Sequence, residues 1–206
     1  MLILGSGGTS KTAYAVAENL GAAEVYRVSR SGNDGAITYE EAYKRHSDAQ
    51  AIINTTPCGM YPDIGASAVD TERFPDLSSV TDAVYNPLSS ALVVSAREKG
   101  INAVGGLYML VAQAAFAAEK FIDISVPEEK TEEIYRGILI QKKNIVLIGM
   151  PGCGKTTIGK RLAAELGKKF IDTDCEIIKE INMPISDYFA RFGEESFRRL
   201  ESEVIK

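Results

Sequence analysis

An α/β fold, a parallel sheet followed by a second and smaller α/β unit, is predicted by three observations. Short apolar runs alternate with helical stretches from Leu2 to Leu139. A glycine cluster at Gly5–Gly8 stands directly between the first apolar run and the first helix. A second cluster at Gly149–Gly154 occupies the same kind of place much later in the chain. Strands separated by helices of this length imply right-handed crossovers and therefore parallel pairing.

Composition narrows the function classes. The 206 residues are 45% hydrophobic and 25% charged, ordinary values for a globular protein. A formal net charge of -5 argues against nucleic acid as a partner, because phosphate backbones call for clustered Lys and Arg. The longest apolar stretch, around Leu107–Ala118, is broken by Gln113 and is too short for a bilayer span. Met1-Leu2-Ile3-Leu4 runs straight into glycines, so no signal peptide is expected. Cys58, Cys153 and Cys175 form neither a metal-ligand spacing nor a paired framework; free thiols point to the cytoplasm. His46 lies in a polar run and reads as a surface residue.

The elements follow in order. Leu2–Leu4 is a short strand, and apolar positions Ala13, Val16, Ala17 and Leu20 then recur at helical spacing until Gly21. Glu24–Val28 is a second strand; Thr38 and Glu41 form a capping box that starts a helix. Ala51–Ile53 and Val80–Tyr85 are further strands. Ser89 or Ser90 caps a helix that ends at Gly100, and Asn102–Val104 is one more strand. An apolar helix follows Gly105-Gly106 to about Phe121. Pro127 opens a charged helix, Glu128–Leu139, with Ile134, Ile138 and Leu139 as its packing face. Residues 1–139 thus form one domain and 140–143 a short linker. The second domain, 144–206, has strands at Asn144–Ile148 and Phe170–Asp172, a helix at Lys155–Leu166, and a mostly helical remainder.

Gly149-Met150-Pro151-Gly152-Cys153-Gly154-Lys155-Thr156 fits the P-loop pattern in full. Its glycines let backbone N–H groups turn inward around a β-phosphate, where a Cβ would collide. Gly152, Cys153, Gly154, Lys155, Thr156 and Thr157 are therefore read as holding ATP. Lys155 assists phosphoryl transfer, and the Thr156 hydroxyl supplies a Mg²⁺ coordination site. Downstream, Phe170-Ile171-Asp172-Thr173-Asp174 places two carboxylates past a strand, and Arg198 and Glu201 share a helical face. Asp172 can hold Mg²⁺ through water, and Asp174 can accept bonds from substrate hydroxyls. Arg198 suits a carboxylate substrate. Read singly, Asp172 and Asp174 equally serve as helix caps, and Arg198–Glu201 as a surface pair.

Together the P-loop, Phe170–Asp174, Gly193-Glu194-Glu195-Ser196-Phe197-Arg198 and Glu201 closely resemble shikimate kinase from Asn144 to Lys206. The resemblance implies that Asp174 contacts the shikimate hydroxyls, Arg198 its carboxylate, and Asp172 the Mg²⁺ shell. That family continues with a glycine-rich substrate strand and an arginine-bearing lid, which this sequence does not contain.

Gly5-Ser6-Gly7-Gly8-Thr9 lacks the last glycine of the usual dinucleotide fingerprint, but its place between strand and helix strengthens the reading. Where an NAD-binding fold offers an acid to the ribose, this chain offers Ser29-Arg30-Ser31. A guanidinium flanked by hydroxyls suits a 2′-phosphate, hence NADP. Asn54–Met60, Asp82–Pro87 and Gly106–Gln113 then resemble the cofactor domain of shikimate dehydrogenase, over Leu2 to about Leu139. The resemblance implies that Gly5, Ser6, Gly7, Gly8 and Thr9 cradle the pyrophosphate. It puts Ser29–Ser31 at the adenosine ribose phosphate and Ala83 and Gly106 at the nicotinamide. Tyr85 and Gln113 reach the shikimate. Ser29 stands where that family more often has Asn. The family's acid–base Lys and its Asp partner have no counterpart here; Lys11 reads as a surface or phosphate-proximal residue.

The sequence thus predicts a Rossmann-like NADP-binding domain followed by a partial P-loop kinase domain, a piece of a bifunctional shikimate-pathway enzyme cut at both ends. The parent would reduce 3-dehydroshikimate and phosphorylate shikimate, with NADP, ATP and Mg²⁺ as cofactors. Competing readings are a non-catalytic NADP-binding module with a degenerate P-loop, and a quinate-type dehydrogenase using NAD.

Overall fold

Six short strands, each backed by a helix or loop on the way to the next, pair in parallel in the order β3-β2-β1-β4-β5-β6. The computed structural model describes residues 1–150 and 152–205. The chain divides into two compact units, Met1–Lys143 and Asn144–Lys206. The first unit runs β1 (Leu2–Leu4), α1 (Gly8–Asn19), β2 (Tyr26–Ser29), β3 (Ile37–Thr38), α2 (Tyr39–Arg45), β4 (Ala51–Asn54), β5 (Ser79–Asp82), α3 (Ala91–Glu98), β6 (Asn102–Val104), α4 (Leu107–Ile122) and α5 (Glu128–Lys142).

Burial explains why so few residues suffice for each strand. Leu2, Ile3 and Leu4 are wholly buried, with Val28, Ile52 and Val80 beside them in the sheet. Leu92, Val93 and Ala96 of α3 close one side of the core. Each such Leu, Ile or Val side chain contributes about 1.5–3 kcal/mol when removed from water. Register follows from the same packing: Leu4 pairs with Val28 on one side and Asn54 on the other, and Asn54 pairs with Asp82.

Helix starts obey local chemistry. Thr38 caps α2 in a reciprocal capping box with Glu41, and the Ser90 hydroxyl accepts from Val93 N at the start of α3. The structure departs from expectation at several ends. β2 begins at Tyr26 rather than Glu24, and β5 stops at Asp82 instead of running to Tyr85. The cause at β5 is the Asp82 carboxyl, which accepts from Val84 N at 2.9 Å and turns the chain. β3, two residues long, leaves no sequence pattern. His46 is half-buried rather than on the surface, stacked 3.9 Å from the Tyr26 ring. The expected linker is helical as far as Lys142. Ile134 is exposed, so α5 does not pack through it, whereas Ile138 and Leu139 are half-buried; Thr131 is buried, and Tyr135 stands edge-on to Tyr108 of α4 at 5.4 Å.

The second unit contains α6 (Lys155–Glu165), α7 (Thr173–Ile181) and α8 (Ile185–Ile205), the last bent at Gly193. The expected strands at Asn144–Ile148 and Phe170–Asp172 are absent among the described residues: neither segment is paired in a ladder there. Both segments nonetheless pack on α6: a Cβ added at Gly159 would meet the Phe170 ring at 2.5 Å and Leu147 at 3.2 Å. Ile177 and Phe197 join α7 to α8 and are buried. Phe189 stacks on Phe197 at 4.5 Å.

One core atom is unsatisfied. Ser10 is wholly buried in α1, and its hydroxyl has no hydrogen-bond partner among the described residues. Removing such an orphan relieves a desolvation penalty, and alanine is the better helix former. Ser10→Ala is therefore expected to stabilise the first unit by up to about 1 kcal/mol, read from urea unfolding followed by circular dichroism.

Candidate nucleotide-binding sites

Parallel pairing brings the carboxyl ends of β1, β2, β4, β5 and β6 to one edge of the sheet. The strand order reverses between β1 and β4, and such a switch point leaves a crevice outside the strand ends. Gly5 leaves β1 with φ +117°, and an added Cβ would lie 2.6 Å from Thr55 Oγ1. A side chain is excluded there on both counts. Thr55 itself is fixed by its hydroxyl and its N–H, both of which donate to Leu4 O. Gly7 then precedes α1, whose first residue is Gly8; open space surrounds both glycines. This is a backbone cradle at a helix N-terminus, suited to an anionic group. Ser6, Gly7, Gly8 and Thr9 are all exposed along it.

After β2, Ser29 is buried and its hydroxyl accepts from Gly32 N at 3.0 Å, closing a turn. Arg30 and Ser31 are the middle residues of that turn and are exposed. Ser29 thus shapes the loop, while Arg30 and Ser31 face solvent at the strand end. Lys11 is likewise exposed in α1.

The loops after β4 and β5 are joined by a buried polar cluster that sequence reasoning missed. Asn54 Nδ2 donates to Asp82 Oδ1 at 2.9 Å, and Asn54 Oδ1 accepts from the N–H and hydroxyl of Thr56. The Ser90 hydroxyl donates to Asp82 Oδ2. Burial pushes the Asp82 carboxyl above the ordinary aspartate range, against the pull of the Ser90, Val84 and Asn54 hydrogen bonds. The signal in the sequence was a polar residue at the end of the apolar run Ala51–Ile53, Asn54, and an acid set inside the strand pattern Val80–Tyr85, Asp82. Past the cluster, Ala83 presses on Gly106: an added Cβ there would sit 2.1 Å from the Ala83 carbonyl oxygen. Tyr85 is exposed at 38%, and Gln113 lies exposed on α4.

In the second unit the P-loop turns into α6 at Gly154, with Cys153 N donating to Met150 O; Pro151 lies outside the described residues. Lys155 Nζ donates to the carbonyls of Gly149 (2.7 Å) and Met150 (2.8 Å). Gly152, Cys153, Thr156 and Thr157 are exposed around it. The Thr156 hydroxyl lies 3.3 Å from Asp172 Oδ2, so two hard oxygen donors stand together, as a Mg²⁺ shell completed by water requires. Asp172 precedes α7 without capping it through its side chain. Asp174 is exposed in the first turn of α7. Arg198 does not join these carboxylates: it pairs with Glu201 at 3.0 Å and Glu194 at 3.4 Å on its own helix. Those glutamates, Glu201 first, hold its pKa above the ordinary arginine value. Among the described residues no group of three or more His, Cys, Asp and Glu side chains is placed to hold a metal.

Fold and edge geometry define a Rossmann-type dinucleotide unit followed by a P-loop segment. Comparison with known proteins shows which families the two parts are similar to. A family model for shikimate kinase matches residues 151–206. The shikimate dehydrogenase (NADP(+)) of Clostridium perfringens is 33% identical over 149 residues, 65% of this chain and 52% of its own length. The shikimate kinase of Mycobacterium avium is 54% identical over 61 residues, 30% of this chain and 35% of its own. Among solved structures, a chorismate mutase/shikimate 5-dehydrogenase fusion from Clostridium acetobutylicum superposes with a TM-score of 0.63 at 37% identity, over 69% of this chain and 55% of that one. Shikimate dehydrogenase homologues thus cover the first part and shikimate kinase homologues the last, the order of a dehydrogenase–kinase fusion. The chain spans about half the length of the dehydrogenase relatives it matches.

The contact at Gly106 is directly testable. Gly106→Ala forces a methyl group into the Ala83 carbonyl, and overpacking of this kind costs about 1–3 kcal/mol or more. The expected result is a lowered urea midpoint for the first unit, while Gly8→Ala, which meets open space, shifts it by under about 1 kcal/mol.

Proposed function

We propose that the first unit binds NADP and the second binds Mg-ATP, each as the cofactor site of a shikimate-pathway enzyme. The observation that carries this reading is the convergence of Gly5, Arg30, Ala83, Tyr85 and Gly106 on the carboxyl edge of one sheet. The Gly5–Thr9 backbone holds the pyrophosphate at the start of α1. Arg30 and Ser31 take the 2′-phosphate, favouring the phosphorylated dinucleotide. Ala83 and Gly106 offer backbone to the nicotinamide, and Tyr85 and Gln113 hold 3-dehydroshikimate or shikimate. NADPH supplies the hydride when bound.

In the second unit Gly152–Thr157 wraps the ATP phosphates and Lys155 neutralises charge at the transferred group. Thr156 binds Mg²⁺ directly and Asp172 through water. Asp174 holds substrate hydroxyls, and Arg198 leaves its glutamate partners to take the shikimate carboxylate. The partners are therefore small molecules rather than nucleic acid, in keeping with the net charge of -5. Three free thiols support a reducing, cytoplasmic setting. Among the described residues no helix is long and apolar enough to cross a membrane.

Arg30→Ala separates this reading from an NAD-using or quinate-type dehydrogenase. The expected loss in NADPH affinity is about tenfold or more, with NADH binding changed by less than about twofold, measured by fluorescence titration. Equal loss for both dinucleotides counts against the reading. The 206-residue chain alone is expected to bind NADPH without oxidising it in the presence of 3-dehydroshikimate. A group to exchange the hydroxyl proton is needed, and the family's Lys/Asp pair has no counterpart in this sequence. Steady NADPH consumption by the isolated chain would overturn that expectation.

A further inference from the structure

We infer that Asp82 is a positioning residue for the nicotinamide end of the dinucleotide site, tying the loop after β4 to the loop after β5. The inference rests on the NADP reading for what the loops bind, but the tie itself is a property of the free chain. Asn54 and Asp82 are register partners at the ends of adjacent strands, and both are wholly buried. Below them the sheet is apolar, with Ile52 and Val80 as the next inward pair. An apolar side chain at 82 would suit that packing better, since a buried carboxyl loses its hydration.

What the carboxyl supplies is connection. Each of its contacts comes from a donor: Asn54 Nδ2, Val84 N and the Ser90 hydroxyl. The directions are fixed, not interchangeable. Ser90 Oγ accepts from Val93 N at the start of α3, so its proton goes to Asp82. Asn54 Oδ1 accepts from Thr56 N and Thr56 Oγ1, so its amide nitrogen faces Asp82 and also reaches Cys58 O. One carboxyl thereby fixes residues 54–58, the turn at 82–84 and the first turn of α3. A second contact works in the same direction, Tyr61 N donating to Asn86 O at 3.0 Å. The turn so fixed carries Ala83, locked against Gly106, and Tyr85 one residue beyond Val84. Thr55, the residue of the loop after β4 that faces Gly5, is held separately, its N–H and hydroxyl both donating to Leu4 O. The pyrophosphate loop and Arg30 follow β1 and β2, whereas the cluster lies on β4 and β5. Loosening it should therefore affect one end of the dinucleotide and spare the other.

The test uses the full chain, Asp82→Asn and Ser90→Ala, with NADP⁺ and 2′-phospho-ADP-ribose as paired ligands. The second ligand lacks the nicotinamide ring but keeps its ribose. Asp82→Asn keeps the shape but cannot accept from all three donors. It is expected to weaken NADP⁺ about tenfold and 2′-phospho-ADP-ribose less than about twofold, by calorimetry. In the unliganded protein, hydrogen exchange is expected to rise in peptides spanning 54–61 and 82–90 and to stay unchanged in β1. Ser90→Ala, which removes one bond of the cluster, should show the same pattern more weakly and serves if Asp82→Asn fails to fold. Equal weakening of both ligands, or of neither, overturns the inference. If the unmodified chain binds neither ligand, the NADP reading falls, and the assignment to the nicotinamide end falls with it. Exchange confined to the two loops would then still establish the tie, and uniform or absent change would refute it.

Discussion

Pairing of β1 with β2 on one side and β4 on the other is the constraint from which the rest of the first unit follows. Three buried residues, Leu2 to Leu4, hold both neighbours in register. The ladder continues past the strand ends, where Gly5 N donates to Val28 O and Thr55 N to Leu4 O. Those two bonds place the glycine loop beside Thr55, one residue past the level at which Val28 and Asn54 flank Leu4. A slip of one residue would turn every side chain to the opposite face and part Gly5 from Thr55. The glycine cradle is in that sense a by-product of how three aliphatic residues are packed.

Much of this was legible in the sequence because it is local. The capping box at Thr38 and Glu41, the Ser90 cap and the glycine-first entry to α1 each depend on residues within one helical turn. β3 could not be read, since two residues carry no periodicity, and its pairing depends on where the preceding loop returns the chain. The end of β5 was misplaced because apolar Val84 continues the strand pattern, whereas the Asp82 side chain turns the backbone. Asn54 and Asp82 meet across 28 positions of sequence, a proximity that only the sheet order creates.

The second unit shows the converse. Asn144–Ile148 and Phe170–Asp172 have strand composition, yet composition supplies only one side of a ladder. Their apolar side chains instead lean on α6 or remain open: Val146, Ile148 and Ile171 are more than half exposed. The site residues divide along similar lines. The P-loop is written in consecutive residues and reads directly, and Thr156 meets Asp172 across 16 positions of sequence. Arg198, by contrast, is held by glutamates one turn to either side of it, the pair that helical spacing alone predicts.

Lys155 carries a last consequence. Its ammonium has three protons to give, and two go to the carbonyls of the very loop that would receive a phosphate. An incoming phosphate competes with bonds already made, so the count of hydrogen bonds scarcely changes on exchange. What changes is the partner's charge, from a neutral carbonyl dipole to an anion. A neutral group of phosphate shape has little to gain from displacing the carbonyls. A loop closed in this way by its own backbone would screen by charge before it screened by shape, as a small anion exchanger does.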